Sequence, residues 1–402
     1  MKNLKKVLAL GLASVMVLAT VACGNNEAQS NSANANKTSN SASGESAVGT
    51  WKIGGIGPTT GGAAVYGLAV QHGAQIAVDE INAAGGINGK LVEFKFEDDE
   101  NNAEKSVNAY NVLKDWDMQM LLGTVTSNPC VAVAAEAAAD NMFLLTPSGS
   151  SVDILTDKTN AFQVCFTDPN QGQGSAQYIG ENAMASKVAV IYDSSSVYST
   201  GIFDKFEQEA KNQPFEIVAA EAFTEDSNKD FSVQLQKAKS AGAELLFLPI
   251  YCEQSALILT QANAMGYNPI IFSCDGMDGI LALDNFDTAL AEGIVLLTPF
   301  VADATDDATV SFVSKYQQAY GEVPNQFAAD AYDGMYIIKA ALEAANATPD
   351  MSVSDLCEAL KSQMVSISFD GLTGADMTWA VSGEVSKAPK AMVIKDGTYV
   401  AY

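Results

Sequence analysis

Two short stretches hold most of the groups with which this chain could do chemistry: Gly123-Thr124-Val125-Thr126-Ser127-Asn128-Pro129 and Thr146-Pro147-Ser148-Gly149-Ser150-Ser151. Each joins a strand-like run to a helix-like one, so each places hydroxyls and the free N–H groups of a helix start at one end of a sheet. That equipment suits a carboxylate, above all in a chain whose 22 basic residues are all Lys. Without Arg there is no bidentate guanidinium, and an anionic group must be held by backbone amides and hydroxyls. A plainer role is open to the same residues: Ser127 or Asn128 can cap the following helix, and Pro129 fits its first turn.

Other reactive side chains are few. His72, the single histidine, stands beside Gln71 and Gln75 on a polar helix face, and a triad would need a nucleophile and an orienting acid as well. There is no Walker A sequence, nucleophile elbow or Cys/His cluster, and Gly55-Ile56-Gly57 lacks the third glycine of a dinucleotide fingerprint. The acidic runs at 97–100 and 303–307 lack EF-hand spacing and read as solvated surface rather than a calcium site. Cys130, Cys165, Cys252, Cys274 and Cys357 are scattered, odd in number and without CxxC spacing, so buried free thiols are expected rather than a zinc site or a disulfide framework. No catalytic machinery is visible, and neither a cofactor nor a metal is expected.

The amino terminus reads as an export signal over residues 1–22: a basic start with Lys2, Lys5 and Lys6, an apolar run at 7–19, then Thr20-Val21-Ala22-Cys23. The apolar run falls short of the roughly 20 residues that a bilayer-spanning helix needs. Its end resembles the lipobox of bacterial lipoproteins, with Thr20 where Leu is usual, which implies a lipid on Cys23. Residues 23–50, rich in Asn, Ser and Ala, cannot bury enough surface to offset chain entropy and are expected to be a flexible tether. Removing the three signal lysines takes the formal charge from -26 to -29 (-26 - 3). A chain this acidic repels nucleic acid and anionic headgroups.

About 350 residues remain for one large or two medium domains, and a hydrophobic share of 48% against 17% charged is that of a globular chain. To position the two loops, strand-like and helix-like stretches alternate: strand 52–57, helix 63–84, strand 91–97, helix 102–115, strand 118–123, helix 129–140 and strand 142–145. The pattern restarts with helix 170–184, strand 187–192, helix 200–212, strand 215–223, helix 230–241, strand 244–248, helix 253–265 and strand 269–272. Two such series predict an α/β protein of two doubly wound, parallel-sheet lobes. Helices at 306–320 and 328–347 with no strand between them suit a return to the first lobe, and the tail from Val365 reads as β-rich.

The chain also resembles the branched-chain amino acid (Leu/Ile/Val) binding proteins of ABC transporters, which have the type I periplasmic-binding-protein fold. The marks are Ile56-Gly57-Pro58-Thr59-Thr60-Gly61-Gly62-Ala63-Ala64-Val65-Tyr66-Gly67, Gly73-Ala74, Ile81-Asn82-Ala83-Ala84-Gly85-Gly86-Ile87-Asn88-Gly89, Asp98-Asp99, both loops above and Tyr332-Asp333. The resemblance implies one lobe from residues 51–167 and 300–366, a second from 168–299 and 367–402, and a multi-strand hinge between them. It implies that Ser127 and Ser150 hold a ligand's α-carboxylate, that the Ser148 backbone and Asp275 meet its ammonium, and that Tyr66, Tyr198, Tyr251 and Phe327 line the pocket. Asp275 is one methylene shorter than the Glu of the best-known members, and Asn128-Pro129-Cys130 replaces a Ser/Thr run. The expected function is capture of an aliphatic amino acid by a monomer, lipid-anchored outside a single-membraned cell, for an ABC permease, with no nucleic-acid partner. An amide, urea-like or aromatic acid ligand, or a sensor ectodomain, is the alternative.

Overall fold

The computed structural model describes residues 49–402; the expected signal, Cys23 and nearly all of the expected tether lie outside the described residues. Strand β1 (Trp51–Gly57) leads to helix α1 (Ala64–Ala83), β2 (Val92–Asp98), α2 (Ala103–Asp115), β3 (Met120–Gly123), α3 (Ser127–Ala139), β4 (Leu144–Thr146) and β5 (Ala161–Gln163). The five strands form a parallel sheet in the order β2-β1-β3-β4-β5. Every residue of β3 and β4 is buried, as a parallel sheet with helices on both faces requires.

A second series follows with α4 (Asp168–Glu181), β6 (Lys187–Asp193), α5 (Val197–Ala210), β7 (Glu216–Phe223), α6 (Ser232–Ser240), β8 (Leu245–Leu248), α7 (Cys252–Ala264), β9 (Ile270–Ser273) and β10 (Val295–Thr298). After α8 (Asp307–Tyr320), α9 (Gln326–Ala344) and α10 (Val353–Met364) come β11 (Lys390–Lys395) and β12 (Thr398–Ala401). The second sheet has the order β12-β11-β10-β9-β8-β6-β7 and is parallel except where β11 and β12 close its edge antiparallel. The fold is thus the expected pair of α/β lobes.

Because α8 and α9 pack on α1, the chain crosses between lobes three times: after β5, after β10 and before β11. The third crossing is fastened from the first lobe. Lys387, with its side chain wholly buried, donates to Asp330 Oδ1 at 2.8 Å and to Thr373 Oγ1 at 2.6 Å. Just ahead of it, Trp379 Nε1 donates to Gln163 O at 2.8 Å and Gln163 N to Gly383 O at 3.0 Å. Of the tail, therefore, only β11 and β12 join the second sheet.

Close helix pairing brings the site residues together in both lobes. A Cβ on Gly73 of α1 would stand 2.0 Å from Ala328 O of α9, and one on Gly172 of α4 would stand 2.2 Å from Ile202 O of α5. Only glycine allows these backbones to touch.

Some elements differ from expectation. The helix expected at 170–184 starts at Asp168, with Pro169 in its first turn. The one expected at 200–212 starts at Val197, because Ser196 Oγ accepts from Ser199 N at 3.4 Å. β5, β10 and α10 were not anticipated; strands of three and four buried residues carry no readable periodicity. α10 did carry a signal, Ser352 three residues before Asp355, and Ser352 Oγ accepts from Asp355 N at 3.1 Å. The five cysteines are buried free thiols, as expected. Among the described residues no helix is long and apolar enough to cross a membrane.

Candidate functional site

In the first sheet the chain leaves β1 and β3 toward opposite faces, and in the second it does so at β6 and β8, so each sheet has a crevice at the carboxyl ends of its strands. The two crevices face each other across a small cavity. From the first lobe come Tyr66, Ser127, Ser148, Ser150 and Phe327; from the second, Tyr198, Tyr251 and Asp275. All eight residues singled out by the sequence line this one space, joined by Val125, Thr126 and Gly276.

On the first-lobe side the two hydroxyl-rich loops are stitched together. Ser148 Oγ donates to Val125 O at 2.8 Å, and Ser127 Oγ accepts from Ser150 N at 3.2 Å and Ser151 N at 3.3 Å. Neither Ser127 nor Asn128 caps α3; Thr126 occupies that position. Asn128 instead reaches the second lobe, donating to Ser195 O at 3.1 Å and accepting from Val197 N at 2.9 Å. The hydroxyls of Ser150 and Thr126 are buried without a partner among the described residues. A buried hydroxyl in that state is free to meet a ligand, and nothing in the loop sequence distinguishes Thr126, which lines the cavity, from its neighbours.

On the second-lobe side Asp275 is 2% exposed. Tyr198 OH donates to its Oδ1 at 2.7 Å and accepts from Gly276 N at 2.9 Å, while Asp275 N donates to Gln171 Oε1 at 3.2 Å. Burial pushes the carboxyl up to about 6, and the Tyr198 and Gln171 side chains pull it back. A buried carboxylate whose recorded side-chain partner is a neutral hydroxyl suits an arriving ammonium. Asp278 works between the lobes: it accepts from Gln326 N, at the start of α9, at 2.8 Å, and burial pushes it up to about 7.

Between the two polar sides lies an aromatic wall. Tyr198 and Tyr251 stack with centroids 4.9 Å apart, and Tyr66 lies 5.3 Å from Tyr251 and 4.7 Å from Phe327. Tyr66 OH also spans the lobes, donating to Gly276 O at 2.6 Å and accepting from Cys252 N at 2.8 Å. Such a site can hold an anion at one end, a cation at the other and an aliphatic group against the rings.

The remaining candidates are elsewhere. His72 stacks on Tyr320 of α8 at 3.7 Å and does not line the cavity. The acidic runs are engaged in turns and caps: Asp98 accepts from Thr59 N at 2.8 Å, Asp99 from Ser106 Oγ at 2.8 Å, and Asp306 from Thr309 N at 2.9 Å. Among the described residues no group of three or more His, Cys, Asp or Glu is placed to hold a metal.

Residues 50–398 match a family model described as periplasmic binding protein. The chain belongs to that family. Periplasmic binding proteins are solute-binding proteins rather than enzymes, and membership places the folded chain outside the cytoplasm. This periplasmic binding protein is similar to the Leu/Ile/Val-binding protein homolog 3 of Brucella melitensis, 30% identical over 299 residues covering 74% of this chain and 80% of that one. It is also similar to the Leu/Ile/Val-binding protein BraC3 of Rhizobium johnstonii, 29% identical over 74% of this chain and 80% of the relative. Among solved structures it resembles the branched-chain amino acid transporter substrate-binding protein LivJ of Streptococcus pneumoniae in complex with isoleucine. The TM-score is 0.79 at 28% identity, covering 88% of this chain and 98% of LivJ.

Proposed function

We propose that this protein captures a branched-chain aliphatic amino acid outside the cell and delivers it to an ABC importer. The observation that carries the reading is the division of one small cavity into two unlike ends. Unpartnered hydroxyls and helix-start amides of the first lobe suit the α-carboxylate, Asp275 of the second lobe suits the ammonium, and Tyr66, Tyr198, Tyr251 and Phe327 suit an aliphatic side chain. Ser127 Oγ accepts from Ser150 N and Ser151 N, holding that loop in place, and its O–H remains free to donate to the carboxylate. Since each lobe supplies one end, a ligand joins the lobes and favours the closed form by hinge bending. Residues 51–167 with 300–366 make up the first lobe in this reading, and the second is built on 168–299 with 367–402 as its hinge return and edge strands β11 and β12. Relatives named for Leu, Ile and Val at about 30% identity add support for the ligand class.

The experiment is calorimetric titration with Leu, Ile and Val. One molecule is expected to bind per chain, with a raised melting temperature for the bound form. No heat with any of the three, together with binding of an aliphatic amide or an aromatic acid, would sink the reading. The lipid anchor is part of the proposal. Cys23→Ser is expected to move the protein from the membrane fraction to the medium; a protein that stays membrane-bound after the change would exclude that anchor. A lipid and a polar tether would hold the monomeric binder near its permease at high effective concentration.

A further inference from the structure

Outside the ligand cavity the lobes also meet where the loop after β9 reaches the amino ends of α1 and α9. The loop can come this close because Gly279 has a φ of 109° and no side chain. A Cβ there would stand 2.9 Å from Val65 Cγ2 of α1 and 3.5 Å from Asn325 Nδ2 at the cap of α9. Beside it Asp278, 5% exposed, accepts from Gln326 N, the first N–H of α9, at 2.8 Å. That N–H is one of those a helix start leaves unpaired, and Asn325 Oδ1 takes another, from Ala328 N at 3.2 Å. A carboxyl group of the second lobe thus completes the cap of a first-lobe helix, a contact that exists only while the lobes are together.

A charge on this carboxyl is poorly compensated. The titratable groups around it are Asp275 from its own loop, Asp330 from α9, Cys252 from the start of α7 and Tyr399 from β12, whose hydroxyl accepts from Gly279 N at 3.0 Å. None of these is a cation, and the two acids oppose a further negative charge between them. Burial first, then Asp275 and Asp330, push Asp278 up to about 7 against the pull of the Gln326 and Gly279 N–H groups.

We propose that Asp278 is a proton-linked latch on closure: bringing the lobes together moves its carboxyl from water onto the amino end of α9, and the latched form holds best when that carboxyl is protonated. The proposal rests on the reading of the protein as an amino-acid binder that closes on its ligand. With the lobes apart the carboxyl lies in water, where a value of about 3.9 is ordinary; with the lobes together it is about 7. Closing therefore takes up a proton around neutral pH. It is favoured as pH falls through about 7 and loses that advantage as pH rises through it. Asp275 acts with the opposite sign and lower down, at about 6, so affinity should peak between the two values.

The test is calorimetric titration with L-leucine in buffers of different ionisation enthalpy, which counts the protons exchanged on binding. The wild type should take up about half a proton per leucine at about pH 7, and should bind roughly three-fold more weakly at about pH 8.5 than at about pH 6.5. Asp278→Asn keeps an oxygen for the Gln326 N–H and removes the titration, so the uptake and the loss of affinity at high pH should both vanish. Gln326→Pro keeps the carboxyl and removes the N–H that favours its charge. Proline fits this first helical position after the extended Asn325, and proton uptake should extend to higher pH; this variant decides the matter if Asp278→Asn does not fold. Asn128→Ala removes an interlobe contact that has no proton to take up, and should weaken leucine binding at every pH with the proton count unchanged. Leucine bound without proton uptake near neutral pH, or an uptake that survives Asp278→Asn or is unmoved by Gln326→Pro, overturns the latch and leaves the amino-acid reading standing. A wild type that binds an amide and no amino acid overturns that reading, and the latch with it.

Discussion

Asp275→Asn is expected to weaken branched-chain amino acid binding by about 2 to 5 kcal/mol, roughly 30- to 5,000-fold in Kd. The carboxylate is buried, held by Tyr198 OH at 2.7 Å, and placed opposite the hydroxyls of the first lobe. In the closed complex an ammonium facing Asn would keep a hydrogen bond and lose its counter-charge where water cannot replace it. Asn preserves the shape, so the ligand-free melting temperature should change little, which separates this loss from unfolding. The pH profile has a definite sign. Burial pushes Asp275 up to about 6 in the ligand-free cleft, so affinity should fall as pH drops through that value and the carboxyl takes up a proton. In Asp275→Asn this dependence should flatten. Calorimetry between about pH 5 and 8 checks both, and a variant with wild-type Kd at neutral pH would remove Asp275 from the site.

Lys387→Met is expected to lower stability by about 3 to 5 kcal/mol, the usual cost of stripping one member from a buried ion pair. Lys387 and Asp330 are both fully buried in their side chains, and Asp330 Oδ2 has no partner even with the lysine present. Asp333 is close by, bonded to Leu372 N and Thr373 N at 2.9 Å each. Burial pushes both carboxyls up and Lys387 pulls both back, leaving Asp333 at about 6. Without the lysine both acids are driven further toward their neutral forms. An acid with a raised folded-state value favours the native state at low pH and loses that advantage as pH rises through it. The deficit of the variant should therefore be largest near pH 8 and smaller near pH 5. Adding Asp330→Leu should recover much of the loss, since apolar replacement of a whole buried pair is often neutral. Thermal unfolding of both variants decides it; an equal deficit with and without Asp330 would mean that the pair is not the cause. Because Lys387 sits on the third crossing, the same variants would loosen the connection between the lobes.

Much of this was legible before any fold was known. Continuous apolar runs such as Leu245–Leu248, with helix-like stretches between them, imply parallel strands covered on both faces, and the loop after β3 announced itself by hydroxyls beside a helix start, whereas the loop after β4, expected to open a helix, leads only through a short turn at Val152–Ile154 into β5. What could not be read is which hydroxyl is already engaged. Ser148 donates its hydroxyl to join the two loops, Ser127 accepts there and keeps its O–H, and Ser150 and Thr126 have no partner among the described residues. Asn128 looked like a cap and is an interlobe contact, because its amide finds the start of α5 rather than that of its own helix.

The sequence by itself determined the α/β class, the two lobes and the loops that bear the polar groups. Those follow from periodicity, turn residues and composition, which act over neighbouring residues. Asp275 and the aromatics could be named only through a resemblance. Their partnerships span 77 residues from Tyr198 to Asp275 and 210 from Tyr66 to Gly276. Contacts at such separations exist only once three chain crossings bring the carboxyl ends of two sheets face to face. Burial, and with it the charge state of each carboxyl, is a property of that closed arrangement and of no local segment.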